Sequence, residues 1–201
     1  MSTLANEWKP NFGTIYTWFA MDKNGKIAVV INNNWGWLPN ALLSLENFEE
    51  LLDQLNEYKW EESAIFVDYP QDKKGSVILD LYSHYFFRFL KSKSEVEKYV
   101  KDKFDRLKAC SEYNLPSNKG FFIYQAIEGN NPGDDYPVGY EGETKMGDYF
   151  RYLMPTIYAS IDDFPKELRH GIAVSDTIDF TKDRLLDNDK ISEYFPRMYR
   201  G

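Results

Sequence analysis

The chain carries at residues 14–32 the stretch TIYTWFAMDKNGKIAVVIN. β-Branched and aromatic residues fill both of its halves, 14–20 and 26–32, and Asp22-Lys23-Asn24-Gly25 lies between them. Such residues suit a pleated, half-buried strand, and an Asn-Gly pair supplies the two left-handed residues that a tight turn needs. The stretch therefore predicts a β-hairpin, and the remaining elements are placed around it.

A first helix is predicted from about Leu45 to Tyr58. Apolar residues recur there at the spacing of one helical face, namely Phe48, Leu51, Leu52 and Leu55. Ser44 is the expected N-cap, because its hydroxyl is able to accept a hydrogen bond from the first turn.

A second helix is predicted from about Lys93 to Cys110. Ser92 and Glu95 have the Ser-x-x-Glu spacing of a capping box, and Pro116 is expected to stop any further helix.

Further strands are predicted on either side of the second helix. Residues 63–69 and 76–82 flank a turn at 71–75 and predict a second hairpin, and residues 84–90 are a weaker strand candidate. Residues 120–127 and 149–159 are also strand candidates, the latter an edge strand because Pro155 interrupts it.

The tail predicts a short helix near Pro165–Arg169 and a strand near Thr177–Phe180. The sum is a single α+β domain, residues 1–201, with a mostly antiparallel sheet and two main helices.

Composition excludes several classes of function. The 201 residues carry a formal net charge of −8, which disfavours nucleic acid and anionic membranes as partners, because both attract basic proteins. Cys110 is the single cysteine, so no internal disulfide is possible. The first residues do not have the pattern of a signal peptide, and no stretch approaches the length of a membrane span. We expect a cytoplasmic protein.

The search for catalytic motifs is negative. His84 and His170 lie far apart in the sequence, and no HExxH, CxxC, Walker or G-x-S-x-G pattern occurs. We therefore expect neither a metal site nor a cofactor. An alternative hypothesis stays open, a small hydrolase that uses Asp68, Asp80 or His84, since Asp68 and Asp80 would face each other across the predicted second hairpin.

Residues 128–148 are the most unusual part of the chain. A loop of this length inside a compact domain is usually functional or disordered. Six acidic residues, including Glu128 and Asp148, stand against one basic residue, Lys145. Acids interleaved with tyrosines suit a cationic protein partner. The predicted contact residues are Asp134, Asp135, Tyr136, Tyr140, Glu141 and Glu143.

The N-terminal run Trp18-Phe19-Ala20, Asp22, Gly25 and Ile27-Ala28, followed by Gly36 and Leu38-Pro39, resembles the opening of bacterial immunity proteins. The stretch from Tyr152-Leu153-Met154-Pro155 to Phe164-Pro165 is similar to a second signature of the same group. The resemblance covers about residues 14–39 and 149–180.

The resemblance implies a protein without catalytic residues that binds and neutralises a cognate toxin of interbacterial competition, such as contact-dependent growth inhibition. The expected partner is a basic nuclease domain whose active site is blocked. An acidic surface suits this role, because nucleases present cationic groups to phosphate. A third hypothesis, an adaptor that uses a sheet edge within a larger assembly, also stays open.

Overall fold

The computed structural model describes residues 8–201 of the chain. The helices are α1 (Asn40–Leu43), α2 (Phe48–Trp60), α3 (Lys93–Leu107) and α4 (Ile191–Tyr194). The strands are β1 (Thr17–Met21), β2 (Ile27–Ile31), β3 (Val77–Leu79), β4 (Tyr82–Ser83), β5 (Phe122–Ala126), β6 (Pro137–Val138), β7 (Tyr149–Pro155), β8 (Ile172–Val174), β9 (Leu185–Leu186) and β10 (Arg197–Met198).

The main sheet has the strand order β10-β8-β1-β2-β5-β7-β3, with β9 paired to β7, while β4 and β6 form a separate two-stranded sheet. The α+β class is confirmed. The sheet is mixed, because β1 pairs with β8 and β2 pairs with β5 in parallel. The other pairings are antiparallel.

The predicted hairpin is confirmed, but its turn differs from the expected one. Gly25 has a positive φ of 79°, whereas Asn24 does not enter the left-handed region. The turn is closed by a hydrogen bond from Gly25 N to Asp22 O of 3.0 Å. The connection is therefore a type I turn followed by a left-handed glycine, the usual three-residue hairpin loop.

The two faces of the sheet are covered by different parts of the chain. The register places Phe19, Ile31 and Gln125 on one face, and α2 and α3 pack there. The opposite face carries Trp18, whose ring lies 5.2 Å from that of Phe195. The C-terminal segment, which is mostly irregular, thus covers the second face.

Helix α2 begins later than predicted, and Ser44 is not its N-cap. Residues 40–43 form the separate turn α1, and Ser44 ends it by donating its N–H to Asn40 O at 2.9 Å. Asn47 occupies the N-cap of α2 without a side-chain hydrogen bond. At the other end, Glu61 terminates α2 in the left-handed conformation.

The cap of α3 is confirmed, since Ser92 Oγ accepts a hydrogen bond of 3.3 Å from Glu95 N. The helix ends at Leu107, and a 3₁₀ turn continues to Cys110. Pro116 does not end helical structure in this region, because it lies in the first turn of a π-helix over Leu115–Lys119, where its missing N–H is tolerated.

The prediction of a second hairpin is wrong. Residues 63–69 form no strand, and β3 pairs with β7 instead. Ser63 Oγ accepts hydrogen bonds from the backbone N–H groups of Ile65 and Phe66 at 3.2 and 3.0 Å, which draws the backbone out of a ladder. Strand propensity alone does not determine whether a segment pairs or with which strand, so the composition of residues 63–69 predicted a strand that does not form.

Three further strand predictions need correction. Residues 84–90 form turns, and Thr177–Phe180 is not a strand, since the strands of the tail are β8, β9 and β10. Strand β7 is not an edge, because it lies between β5 and β3. Pro155 is its last residue, so the missing N–H does not interrupt the ladder.

The short helix predicted near Pro165–Arg169 is displaced. The chain forms turns there, and a 3₁₀ helix follows over Arg169–Gly171.

Candidate functional site

The acidic loop 128–148 is tied to the rest of the fold by Asp135. This carboxylate is only 3% exposed. It accepts hydrogen bonds from Ser83 Oγ at 2.8 Å, from Tyr85 N at 3.0 Å and from Glu128 N at 3.2 Å. Asp135 is therefore an internal link and not a contact residue on the surface, which corrects the prediction made for it.

Asp134 is also used by the loop itself. Its carboxylate accepts hydrogen bonds from the N–H groups of Asn130 and Asn131 at 3.1 and 2.9 Å. Tyr140 is partly buried and packs against the core. Both residues retain some exposed surface, but their main contacts are internal.

The other predicted contact residues lie on the surface. Glu141 and Glu143 are exposed. Tyr136 is 46% exposed, and its ring stacks on that of His84 with a centroid distance of 4.4 Å. Of the six residues, these three are the ones that the fold presents openly to solvent.

The residues of the hydrolase alternative are not brought together as a catalytic group. The expected pairing of Asp68 with Asp80 across a hairpin is wrong, because 63–69 is not a strand. Asp80 is bound by Arg151 and Arg184, each at 2.7 Å, while Asp68 is exposed to solvent. The ring of His84 stacks on that of Tyr136.

A cleft of about 330 Å³ lies between α3 and the helix-covered face of the sheet; we call it the α3 cleft. It opens beside the carboxyl ends of the parallel strands β2 and β5, which Asn33 and Glu128 follow. This is the edge at which ligands bind in parallel sheets. Its lining residues are Ile31, Asn33, Phe86, Phe87, Tyr99, Val100, Lys103, Leu107, Cys110, Ser111, Glu112, Gln125, Glu128 and Tyr152.

Glu112 is a principal charged group of the α3 cleft. Solvent reaches its side chain within the cleft, but protein atoms enclose it on the remaining sides. This desolvation raises the pKa of the Glu112 carboxyl, while the positive charges of Lys103 and Lys59 act in the opposite direction. An acid held in this way is typical of a binding or catalytic cleft.

Glu128 is the second carboxylate of the cleft. Partial burial raises its pKa, and the neighbouring charge of Asp135 adds to the effect. Within residues 8–201, no lysine, arginine or histidine lies at ion-pairing distance from Glu112 or Glu128. Both carboxylates are thus open to a partner from outside the chain.

Two lysines lie near these acids. Lys103 Nζ is 5.7 Å from the ring centroid of Phe86 and 5.4 Å from that of Tyr99, so it rests on aromatic faces at the wall of the cleft. Lys59 of α2 is buried, and desolvation lowers its pKa to about 8 although Glu112 raises it. Its ammonium donates a hydrogen bond of 2.7 Å to Asn56 Oδ1.

Large apolar side chains are exposed around the mouth of the cleft. Phe86 is 46% exposed, Phe89 59% and Leu107 44%. Through Asp135 the cleft also adjoins Tyr136. We call Phe86, Phe89 and Tyr136 the aromatic rim, and the aliphatic side chain of Leu107 is exposed beside it. Exposed apolar side chains gathered beside a cleft are a feature of many interaction sites.

Cys110 lies in the wall of the cleft and is exposed. Glu128 was predicted among the acids of the loop, whereas Glu112 and Lys103 were not predicted as site residues. Both belong to the predicted second helix or to the turn after it, and nothing in their spacing indicates that they line one cleft.

Residues 8–201 contain no group of three or more histidine, cysteine, aspartate or glutamate side chains able to hold a metal ion. In the same range, no helix combines the length and the apolar character needed to cross a membrane. Comparison with known proteins finds no matching family model, no significant match among curated proteins and no solved structure with a significant likeness.

Proposed function

We propose that this chain is an immunity protein that binds and neutralises a cognate toxin domain, a basic nuclease, through the aromatic rim and the α3 cleft. The observation that carries the proposal is the joint occurrence of exposed aromatic side chains and unpaired carboxylates on one surface. Interfaces draw most of their binding free energy from aromatic anchors that become desolvated at the centre of the contact.

The charge of the chain supports the same role. A net charge of −8 accelerates the encounter with a cationic partner, because the long-range potential steers the approach. Net charge alone raises the association rate but does not give tight binding, so the aromatic rim has to supply the affinity.

The rim is also held in place before any partner binds. The three hydrogen bonds of Asp135 connect the segment after β4 to the start of the acidic loop. A preorganised surface loses less conformational entropy on association. The internal role of Asp135 thus supports the presentation of Tyr136 and Phe86.

The test is co-expression, in a sensitive bacterial host, with the toxin domain that an immunity role requires a neighbouring gene to encode. Wild-type protein should restore growth, and the variant Phe86→Ala/Phe89→Ala should bind the toxin at least about 30-fold more weakly, as expected for hot-spot residues. Affinity is measured by calorimetry on the purified pair.

The matched control is Ile65→Ala/Val67→Ala, which removes two apolar side chains that are 70% and 64% exposed but lie away from the α3 cleft. This variant should bind as wild type. The rim would be removed from the proposed interface if both variants lost the same affinity for the toxin. The same conclusion would follow if the rim variant kept its affinity and its melting temperature. Failure of wild-type protein to restore growth would contradict the immunity role itself.

The acidic loop is tested separately through Glu141→Lys/Glu143→Lys. We expect slower association with the toxin and a smaller dependence of that rate on salt, because both residues are exposed and act mainly by steering. An unchanged association rate would leave the loop with a structural role only.

A further inference from the structure

The α3 cleft combines aromatic walls with two acids that have no cation of residues 8–201 at ion-pairing distance. Tyr99 and Phe86 present their rings to the cleft, and Glu112 and Glu128 bring carboxylates to it. An aromatic face attracts a cation through its quadrupole, and an unpaired carboxylate in a partly desolvated position gains by pairing with one. Both kinds of group therefore favour the same type of ligand.

A cation of the chain itself already uses the aromatic part of the site. Lys103 Nζ lies over the rings of Phe86 and Tyr99 at 5.7 and 5.4 Å, and no carboxylate of residues 8–201 is at ion-pairing distance from it. Lys103 shows that these walls accept an ammonium group. The residues that line the cleft carry one positive charge, Lys103, and two negative charges, Glu112 and Glu128, while Lys59 acts on Glu112 from α2.

The size of the cleft limits what enters it. About 330 Å³ lies at the lower end of the range for ligand pockets and suits one long side chain. A metal ion is disfavoured, since residues 8–201 bring no three metal-ligating side chains together. A guanidinium suits the site better than an ammonium, because its plane stacks on an aromatic ring while its edge binds a carboxylate.

We propose that the α3 cleft receives one arginine side chain of the toxin, which displaces Lys103 from the aromatic faces and pairs with Glu112, while Glu128 adds a second negative charge to the wall of the cleft. This inference rests on the proposed immunity function and names the chemistry that the partner inserts. Lys103 then acts as an internal competitor that occupies the aromatic walls until the partner binds.

The inference is tested on the full chain with n-butylguanidinium as the probe, followed by two-dimensional amide NMR. We expect saturable shifts confined to amides around the cleft, such as Gln125 and Ser111. Glu112→Gln and Glu128→Gln should each weaken binding about fivefold, as expected for a solvent-accessible ion pair. Lys103→Met should strengthen it, because the competing cation is gone.

The control variant is Asp105→Asn, which removes an exposed acid of α3 that does not line the cleft and should leave the affinity unchanged. n-Butanol, which has the same alkyl chain without the charge, should bind less well. The inference is overturned if butylguanidinium does not bind, if both glutamine variants bind as wild type, or if Lys103→Met binds more weakly while its amide spectrum stays native.

The two proposals fail in different ways. If the toxin is neutralised but butylguanidinium does not enter the cleft, the arginine inference is wrong and the immunity role stands. If the probe binds as expected but no toxin is neutralised, the cleft is a cation site and the immunity role is wrong.

Discussion

Two charged regions of this molecule are organised in opposite ways. On the face covered by the C-terminal segment, Asp80 is held by Arg151 and Arg184 at 2.7 Å each, and Arg151 also donates to Phe180 O at 2.7 Å. In the α3 cleft, Glu112 and Glu128 have no lysine, arginine or histidine of residues 8–201 at ion-pairing distance. Glu112 is exposed and Glu128 is half-buried, so solvent can stabilise their charges, whereas the buried Arg151 needs a partner inside the fold. The Asp80 network therefore stabilises the fold, and the two acids of the cleft stay available to the ligand proposed above.

The largest expected effect comes from breaking the paired region. Asp80→Asn leaves Arg151, which is 4% exposed, without its counter-charge, and the loss of one partner of a buried pair costs about 3 to 5 kcal/mol. The free energy of unfolding is measured in urea. Asp176→Asn, which breaks an exposed ion pair with Arg197, is the control and should be close to neutral. A similar loss in both variants would contradict the contrast between buried and exposed pairs.

The second prediction concerns Lys59, the buried lysine near the cleft. Its pKa is lowered to about 8 in the folded protein from 10.5, so the unfolded chain binds more protons between these values and stability should rise with pH across that window. Below pH 8 the full penalty of burying the charge is present, about 3 kcal/mol.

The measurement is the difference between wild type and Lys59→Met in urea unfolding at pH 7 and pH 9.5. Taking the difference cancels contributions from other groups, such as Tyr58, whose pKa burial raises to about 12. The methionine variant should be more stable at pH 7, and its advantage should shrink at pH 9.5. A constant advantage at both pH values would show that the lysine is not titrating in this window.

The sequence predicts the local elements of the fold better than it predicts which strands pair. The hairpin around Gly25 and the helices α2 and α3 were predictable, because their apolar periods and caps are local signals. The partner of β3 was not, since the run 63–69 has the same composition as a strand but its backbone bonds to Ser63. Long-range pairings such as β2 with β5 leave no local pattern.

The site was predictable in part, for a related reason. Acid-rich composition pointed to the loop 128–148 and so included Glu128. The opposite roles of Asp135 and Glu112 depend on distant neighbours, for Asp135 bonds to a serine 52 positions away. A carboxylate that accepts three hydrogen bonds and one that accepts none look the same in sequence.

The third prediction tests the internal role of Asp135. Asp135→Ala removes the acceptor for Ser83, Tyr85 and Glu128, and we expect a loss of about 2 kcal/mol, since hydrogen bonds to a charged group count more than neutral ones. Hydrogen exchange should accelerate at the amides of Tyr85 and Glu128. Asp134→Ala is the comparison, because that carboxylate bonds only within its own turn and should leave the Tyr85 amide protected.

The smallest effect is expected for Glu112→Gln, which, like Lys59→Met, should not lower the free energy of unfolding at pH 7. Desolvation disfavours the charge of Glu112, so the folded protein binds a proton here more readily than the unfolded chain, and the charged form destabilises the fold above the ordinary pKa. The isosteric amide removes that cost and should leave stability equal or slightly higher at pH 7.

The stability difference between Glu112→Gln and wild type should depend on pH. As pH falls, the raised pKa lets Glu112 become neutral first in the folded state, so the advantage of the glutamine variant should vanish in acid. The groups facing Glu112 are Lys103 from α3, Lys59 from α2 and Tyr152 from β7, and Lys59, with its pKa of about 8, stays charged in acid. A loss of stability in Glu112→Gln as large as that of Asp80→Asn would mean that Glu112 is a structural ion-pair member, and the contrast between the two regions would be wrong.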